Sequence, residues 1–290
     1  MWMVSFLSSG FKKDVDIRKS VERVKDADIV IFASGISPSL EGEEMGVNLP
    51  GFKKGDRTDI ELPAVQRELI DALHRAGKKI ILVNCSGSPI GLEPETQKCE
   101  AILQAWYPGQ QGGKAVAEIL FGDYNPAGKL PVTFYRNVSQ LPDFEDYNMA
   151  GRTYRYMQDV PLFPFGYGLS YTTFGYGKTV LDKNELTAGQ SLKLTVPVTN
   201  TGKRNGEEVV QVYLRKQGDA EGPIKTLRAF KRVSIPAGKT VNVEFDLKDK
   251  ELEWWDDQSN TVRVCPGNYD IMVGGSSKEE NLQRTTIAIK

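Results

Sequence analysis

Two uninterrupted apolar runs constrain this chain more than anything else in it. Ile29-Val-Ile-Phe-Ala33 and Ile80-Ile-Leu-Val83 offer no polar residue to turn toward water, so each reads as a strand covered on both faces, as in a parallel sheet. Between them a helix is expected from Pro63, a residue favoured in the first helical turn. Val65, Leu69, Ala72, Leu73 and Ala76 form its apolar stripe, and Gly77 ends it. A polar helix from Asp16 to Asp26, with Ile17, Val21 and Val24 at helical spacing, precedes the first run. After the second run come a short helical stretch around Glu95, a third strand from Ala101 to Trp106, a Gly-rich turn from Pro108 to Gly113 and a helix from Lys114 to Leu120. Strand and helix alternating at these distances imply βαβ units and a mostly parallel sheet.

The segment from Gly35 to Gln66 is then a long loop leaving the carboxyl end of a buried strand, where open α/β sheets place ligands. It carries Glu41, Glu43 and Glu44, followed by Lys53, Lys54, Asp56 and Arg57, the densest mixture of carboxylates and cations in the chain. In extended backbone Glu41 and Glu43 point to one side and Glu44 to the other. A carboxyl crowded by its neighbours has its pKa raised and can donate a proton near neutral pH. The same spacing also fits a solvated acidic loop. Its glycines and charges suggest few packing partners, so Ser37 to Lys54 is expected to be mobile.

The last third of the chain obeys a different period. Leu192, Leu194, Val196 and Val198 alternate with polar residues, as do Val210, Val212 and Leu214, then Val241, Val243, Phe245 and Leu247, then Tyr269, Ile271 and Val273. Turn signals at Asn200-Thr-Gly202, Pro236-Ala-Gly238 and Pro266-Gly-Asn268 separate them. About seven such strands suggest a two-sheet sandwich of the immunoglobulin or fibronectin type. Pro197 in its first long strand implies an edge or a bulge. The expected organisation is α/β plus all-β: an α/β sandwich over 1–150, a packed connector over 151–178 and a β-sandwich over 179–290. The connector is too aromatic for a flexible linker, and Tyr154, Tyr156, Phe163, Phe165, Tyr167 and Tyr171 read as packing residues.

Composition narrows the chemistry. A length of 290 residues suits two domains, and a net charge of -1 with no basic run argues against nucleic acid or an anionic membrane. No apolar segment approaches the ~20 residues of a membrane span, and Met1-Trp-Met-Val-Ser-Phe-Leu7 is too short for a signal peptide. A single histidine and three cysteines offer no metal cluster and read as reduced thiols. Gly109-Gln-Gln-Gly-Gly113 lacks the lysine of a P-loop and the spacing of a dinucleotide site, so no cofactor is expected. Of the two glycosylation sequons, Asn84-Cys-Ser86 abuts an apolar strand and should be inaccessible.

Several of these segments are similar to one family. Gly35-Ile-Ser-Pro-Ser-Leu-Glu-Gly-Glu-Glu-Met45, Gly55-Asp-Arg-Thr-Asp-Ile-Glu-Leu-Pro63 and Gln66 resemble the loop carrying the general acid/base in glycoside hydrolase family 3, the β-glucosidases and β-xylosidases. Phe121-Gly-Asp-Tyr-Asn-Pro-Ala-Gly-Lys-Leu-Pro-Val-Thr-Phe134, Gly151-Arg-Thr-Tyr-Arg-Tyr156 and Pro164-Phe-Gly-Tyr-Gly-Leu-Ser-Tyr-Thr-Thr-Phe174 resemble it too. The resemblance implies the C-terminal part of a retaining O-glycosyl hydrolase: an α/β sandwich and a fibronectin III-like domain, without the N-terminal barrel that carries the nucleophile. It makes Glu43 the candidate proton donor, ahead of Glu41 and Glu44, and assigns Asp56 and Arg57 to shaping the loop and meeting the substrate. The stretch Met45 to Lys54 is an insertion relative to many relatives. Implied substrates are β-linked glucosides, xylosides or oligosaccharides. The chain alone is expected to be inactive, and an apolar face left by the barrel could drive homo-oligomerisation. The parent would be periplasmic or secreted if a signal lies upstream, and cytoplasmic otherwise. The competing expectation is a carbohydrate-binding or scaffold module without catalysis; an independent hydrolase on the sheet is weaker, for want of a Gly-x-Ser-x-Gly elbow.

Overall fold

The computed structural model describes residues 2–5, 16–41 and 44–290. The chain forms two compact units, Met1–Leu120 with Phe134–Pro142, and Phe121–Thr133 with Asp143–Lys290. In the first, β1 (Trp2–Ser5), α1 (Ile17–Arg23), β2 (Ile29–Gly35), three short strands β3 (Asn48–Leu49), β4 (Phe52–Lys53) and β5 (Asp56–Arg57), α2 (Ala64–Arg75), β6 (Lys79–Cys85), α3 (Glu93–Thr96), β7 (Ala101–Gln104) and α4 (Gly112–Phe121) follow in order. The main sheet runs β1-β2-β6-β7, and every neighbouring pair is parallel. The two apolar runs are thus its central strands. Val30, Phe32, Ile80 and Leu82 are fully buried, as is Ile70 of α2, whose Leu69 and Leu73 are nearly so. The alternate residues Ile31, Val83 and Cys85 form a second cluster with Leu103, Val116 and Leu120. Coverage of both faces is what a continuous apolar run requires.

The helix limits follow local chemistry. Asp16 caps α1 by accepting from the Lys19 amide at 2.9 Å, and α2 stops at Gly77, whose φ of 72° only glycine adopts readily. The third strand is shorter than expected, ending at Gln104. Residues 48–57 form a small antiparallel meander, β3-β4-β5. Met45 to Lys54, the stretch expected to be an insertion, supplies two of its three strands, and the Met45 amide closes it on the Lys54 carbonyl at 2.9 Å.

The second unit is the β-sandwich. One sheet orders strands 185–186, 283–289, 267–274, 206–216 and 226–235; the other orders 240–247, 192–200 and 174–176, with 180–181 alongside. Leu192, Leu194, Val196 and Val198 from one sheet and Val210, Val212, Leu214, Tyr269, Ile271 and Val273 from the other share one core, as the period-2 pattern requires. Pro197 has a sheet partner on one side, Asn242. On the other side the ladder breaks at it: Thr195 pairs with Val180 and Val198 with Tyr176. A missing N–H is harmless at such a break.

The division departs from the limits 1–150, 151–178 and 179–290. Residues 121–133 group with the sandwich because Leu130 exchanges backbone bonds with Tyr167 and Gly166, both at 2.8 Å, and Lys129 pairs with buried Glu208 at 3.1 Å. The aromatic connector also packs there. Tyr154 stacks on Phe165 at 4.3 Å and meets Tyr213 edge-on at 5.9 Å.

Candidate active site: the loop after β2

The loop between β2 and α2 opens at the carboxyl ends of β2, β6 and β7, and the turns that follow β6 and β7 supply its partners. Glu41 is the centre. The Gly87 amide donates to its Oε2 at 3.0 Å, and the Ser88 hydroxyl donates to its Oε1. The Tyr107 hydroxyl reaches Oε2, and Nη1 of Arg57 stands 3.6 Å from Oε1. The Glu41 side chain is 12% exposed. An ionised carboxylate only accepts, and four donors on two oxygens commit this one as an anchor. Burial and then the bond to Glu41 push the Tyr107 hydroxyl above its ordinary value, so it stays a protonated donor.

Arg57 is turned inward. Nε donates to the Asp59 carbonyl at 3.0 Å, Nη1 to the Ser88 hydroxyl at 3.1 Å and Nη2 to the Glu61 carbonyl at 3.2 Å. Its guanidinium also lies 5.8 Å from the Phe52 ring centroid. Burial pulls its pKa down, against the opposing carboxylates of Glu41 and Asp59. Its neighbour Asp56 is exposed, as alternation along β5 dictates.

Beyond the meander, Arg67 of α2 fixes the end of the loop. It meets Glu95 at 2.8 Å, Glu61 at 2.7 Å and the Gly91 carbonyl at 2.9 Å. Burial works against this cation, but Glu95 and Glu61 outweigh it and raise its pKa. Under the anchor, a polar row crosses the sheet at Ser34, Asn84 and Gln104, which are register partners. Asn84 is fully buried and donates to Gln104 Oε1 at 2.6 Å, so its sequon is out of reach in the folded protein. Ser34 Oγ and Asn84 Oδ1 have no protein hydrogen-bond partner.

Of the three candidate glutamates, Glu41 is the anchor and Glu44 is exposed on a left-handed turn with φ 53°. Gly42 and Glu43 lie outside the described residues. The backbone from Pro38 to Glu44 runs through turns and a bend in its described part, so strict alternation does not govern which way these carboxylates face. The described part of the loop has partners: Glu41 and Met45 are tied by side chain and backbone, and Arg57 and Glu61 hold the segment that follows. Sequence reasoning missed Ser88 and Tyr107, which lie 47 and 66 residues from Glu41. Their only advance signal was position just after apolar strands. Among the described residues, no three His, Cys, Asp or Glu side chains gather to hold a metal ion, and no helix is long and apolar enough to cross a membrane.

Comparison with known proteins decides the family. The profile of the glycosyl hydrolase family 3 C-terminal domain matches residues 2–171. The chain belongs to that family. A fibronectin type III-like domain matches 208–277, inside the β-sandwich. A xylan 1,4-beta-xylosidase of Xylanibacter ruminicola is 55% identical over 95% of the chain and 32% of its own length. A periplasmic beta-glucosidase of Salmonella typhimurium is 36% identical, over 90% of the chain and 34% of its own length. Among solved structures, a b-glucosidase of Erythrobacter marinus has a TM-score of 0.82 at 39% identity, over 94% of the chain and 36% of that protein. The beta-glucosidase of Listeria innocua in complex with glucose has a TM-score of 0.79 at 27% identity, over 96% and 39%. The family 3 chain thus spans about a third of the length of the curated relatives it matches.

Proposed function

We propose that these 290 residues are the C-terminal portion of a retaining β-glycosidase of the β-glucosidase or β-xylosidase kind, and that the loop after β2 supplies its general acid/base. Retention needs two carboxyl groups ~5 Å apart, one as nucleophile and one as acid, then base. The nucleophile would come from the barrel that the family resemblance implies, and the acid from Glu43. The observation that carries this reading is the sorting of the glutamates: Glu41 is held by Gly87, Ser88, Tyr107 and Arg57. A group so committed positions a loop; it does not hand protons to a leaving group. Glu43 follows two residues after the anchor and Glu44 is next in line. Exposed Asp56 is the member of its pair placed to meet a sugar hydroxyl, while Arg57 holds the loop in shape. Since the relative at 55% identity is named a xylan 1,4-beta-xylosidase, β-xylosides are the first substrates to test.

In the full-length enzyme, Glu43→Gln should lower kcat/KM, which reports formation of the glycosyl-enzyme, far more for xylobiose than for 2,4-dinitrophenyl β-xyloside. Only the first leaving group needs a proton, and a general acid contributes ~10² to 10⁴-fold. Equal loss on both substrates would remove Glu43 from the role.

A further inference from the structure

We propose that Tyr107 is a positioning residue of this site: its hydroxyl ties the entrance of the acid/base loop to the Glu41 anchor, and so sets where the loop's catalytic carboxyl can reach. The proposal rests on the acid/base reading of the loop, but its structural half can be measured without it.

Three independent observations converge on this side chain. The hydroxyl lies 2.9 Å from the Ile36 carbonyl and also reaches Glu41 Oε2. A phenol has one proton, so it is shared between two acceptors five residues apart, one at the start of the loop and one at its anchor. Gly87 completes the contact. A Cβ there would stand 2.6 Å from Cε2 of Tyr107 and 3.1 Å from Oε2 of Glu41, so a residue with no side chain is needed for the ring and the carboxylate to close on that turn. Last, the backbone is bent to deliver the ring. Trp106 has φ 56°, a left-handed conformation that a bulky residue rarely adopts and that persists where surrounding structure demands it. Pro108 follows and disfavours the helical region for Tyr107. Trp106 meets Phe134 edge-on at 6.1 Å, which secures the strained residue from behind.

Core packing does not account for the arrangement. The Tyr107 residue is 41% exposed, so it covers little apolar surface. Removing that hydroxyl should leave the fold standing and loosen the loop.

Tyr107→Phe is the test, read in two ways. In the 290-residue chain, hydrogen exchange of peptides covering 36–62 should quicken by about tenfold or more, while peptides of β6 and the sandwich keep wild-type rates. In the full-length enzyme, kcat/KM for xylobiose should fall by about 10- to 100-fold, since a ~1 Å misplacement can cost ~10²-fold. For 2,4-dinitrophenyl β-xyloside, whose leaving group needs no proton, kcat/KM should stay within about twofold of wild type. Unchanged exchange would overturn the clamp. Loosened exchange with equal losses on both substrates would overturn the catalytic half, because misfolding or general damage does not distinguish leaving groups. If Glu43→Gln shows no leaving-group dependence, it is the acid/base reading that fails, and the exchange measurement still decides whether Tyr107 holds the loop.

Discussion

Gln66 reads both backbone groups of Gly35. The Gly35 amide donates to Oε1 at 3.2 Å, and Nε2 donates to the Gly35 carbonyl at 2.8 Å. The last strand residue before the loop is thereby joined to the first turn of the helix after it, 31 residues later. Gln66 is 2% exposed, so water cannot replace it.

Gln66→Leu keeps the volume and leaves two buried backbone groups without partners. Each such group costs about 1–3 kcal/mol, so unfolding free energy should drop by about 2–6 kcal/mol in a urea titration. A drop below about 0.5 kcal/mol would show that the pair is not fully formed in solution.

Glycines in the same region should divide sharply. At Gly35, φ is 129° and a Cβ would lie 1.8 Å from the Cys85 carbonyl oxygen; no side chain can give way, because the obstacle is backbone. Gly35→Ala should therefore destabilise by more than about 4 kcal/mol or abolish soluble expression. Gly46 has nothing within 4 Å of the same point, and Gly46→Ala should stay within about 0.5 kcal/mol of wild type. Comparable thermal midpoints for the two variants would contradict the packing at β2 and β6.

The strands were legible because each obeys one period. Val30 to Phe32 and Ile80 to Val83 are apolar without a break, and Leu192 to Val198 alternate, so burial on two faces or on one follows directly. The strand at Trp2–Ser5 was not, since four residues carry too little pattern. The loop was legible as a site through its position and its motif, but not in its internal roles. Alternation holds only for extended backbone, and the chain turns at 38–40 and again at Glu44. Tyr107 and Ser88 join Glu41 across other strands, a relation fixed by sheet order that no local spacing records. Residues 121–133 group with the sandwich for a similar reason: Leu130 pairs with Tyr167 and Gly166, partners 37 and 36 positions away in the numbering.

Cysteine chemistry provides a pH-dependent check on the fold. All three cysteines are free, and burial, then Glu95, pushes the Cys99 thiol up to about 12. A raised thiol pKa means the neutral form persists in the folded state, so at pH 8 only about 10⁻⁴ of Cys99 is the reactive thiolate. Alkylation of Cys99, followed by peptide mass spectrometry, should still quicken about tenfold per pH unit between pH 8 and 10. A plateau near pH 9 would mean that the site is open and the thiol ordinary.

The 290 residues by themselves should not hydrolyse aryl β-xylosides or β-glucosides. A lone general acid contributes ~10² to 10⁴-fold, far below the ~10⁶ or more usual for enzymes, and without a nucleophile no glycosyl-enzyme intermediate forms. The described part of the loop offers no obvious substitute: Glu41 is held by its donors, and Glu61 faces Arg67 at 2.7 Å. Glu44 and Asp56 are the exceptions, both exposed, the latter on β5 beside the inward Arg57. An assay with 4-nitrophenyl β-xyloside on purified chain therefore has a clear second step. Turnover that survives repurification and is abolished by Glu43→Gln would mean a nucleophile resides in this chain, and Asp56→Asn would be the variant to identify it. Absence of turnover, with activity regained in the full-length enzyme, would place the second carboxylate outside these 290 residues.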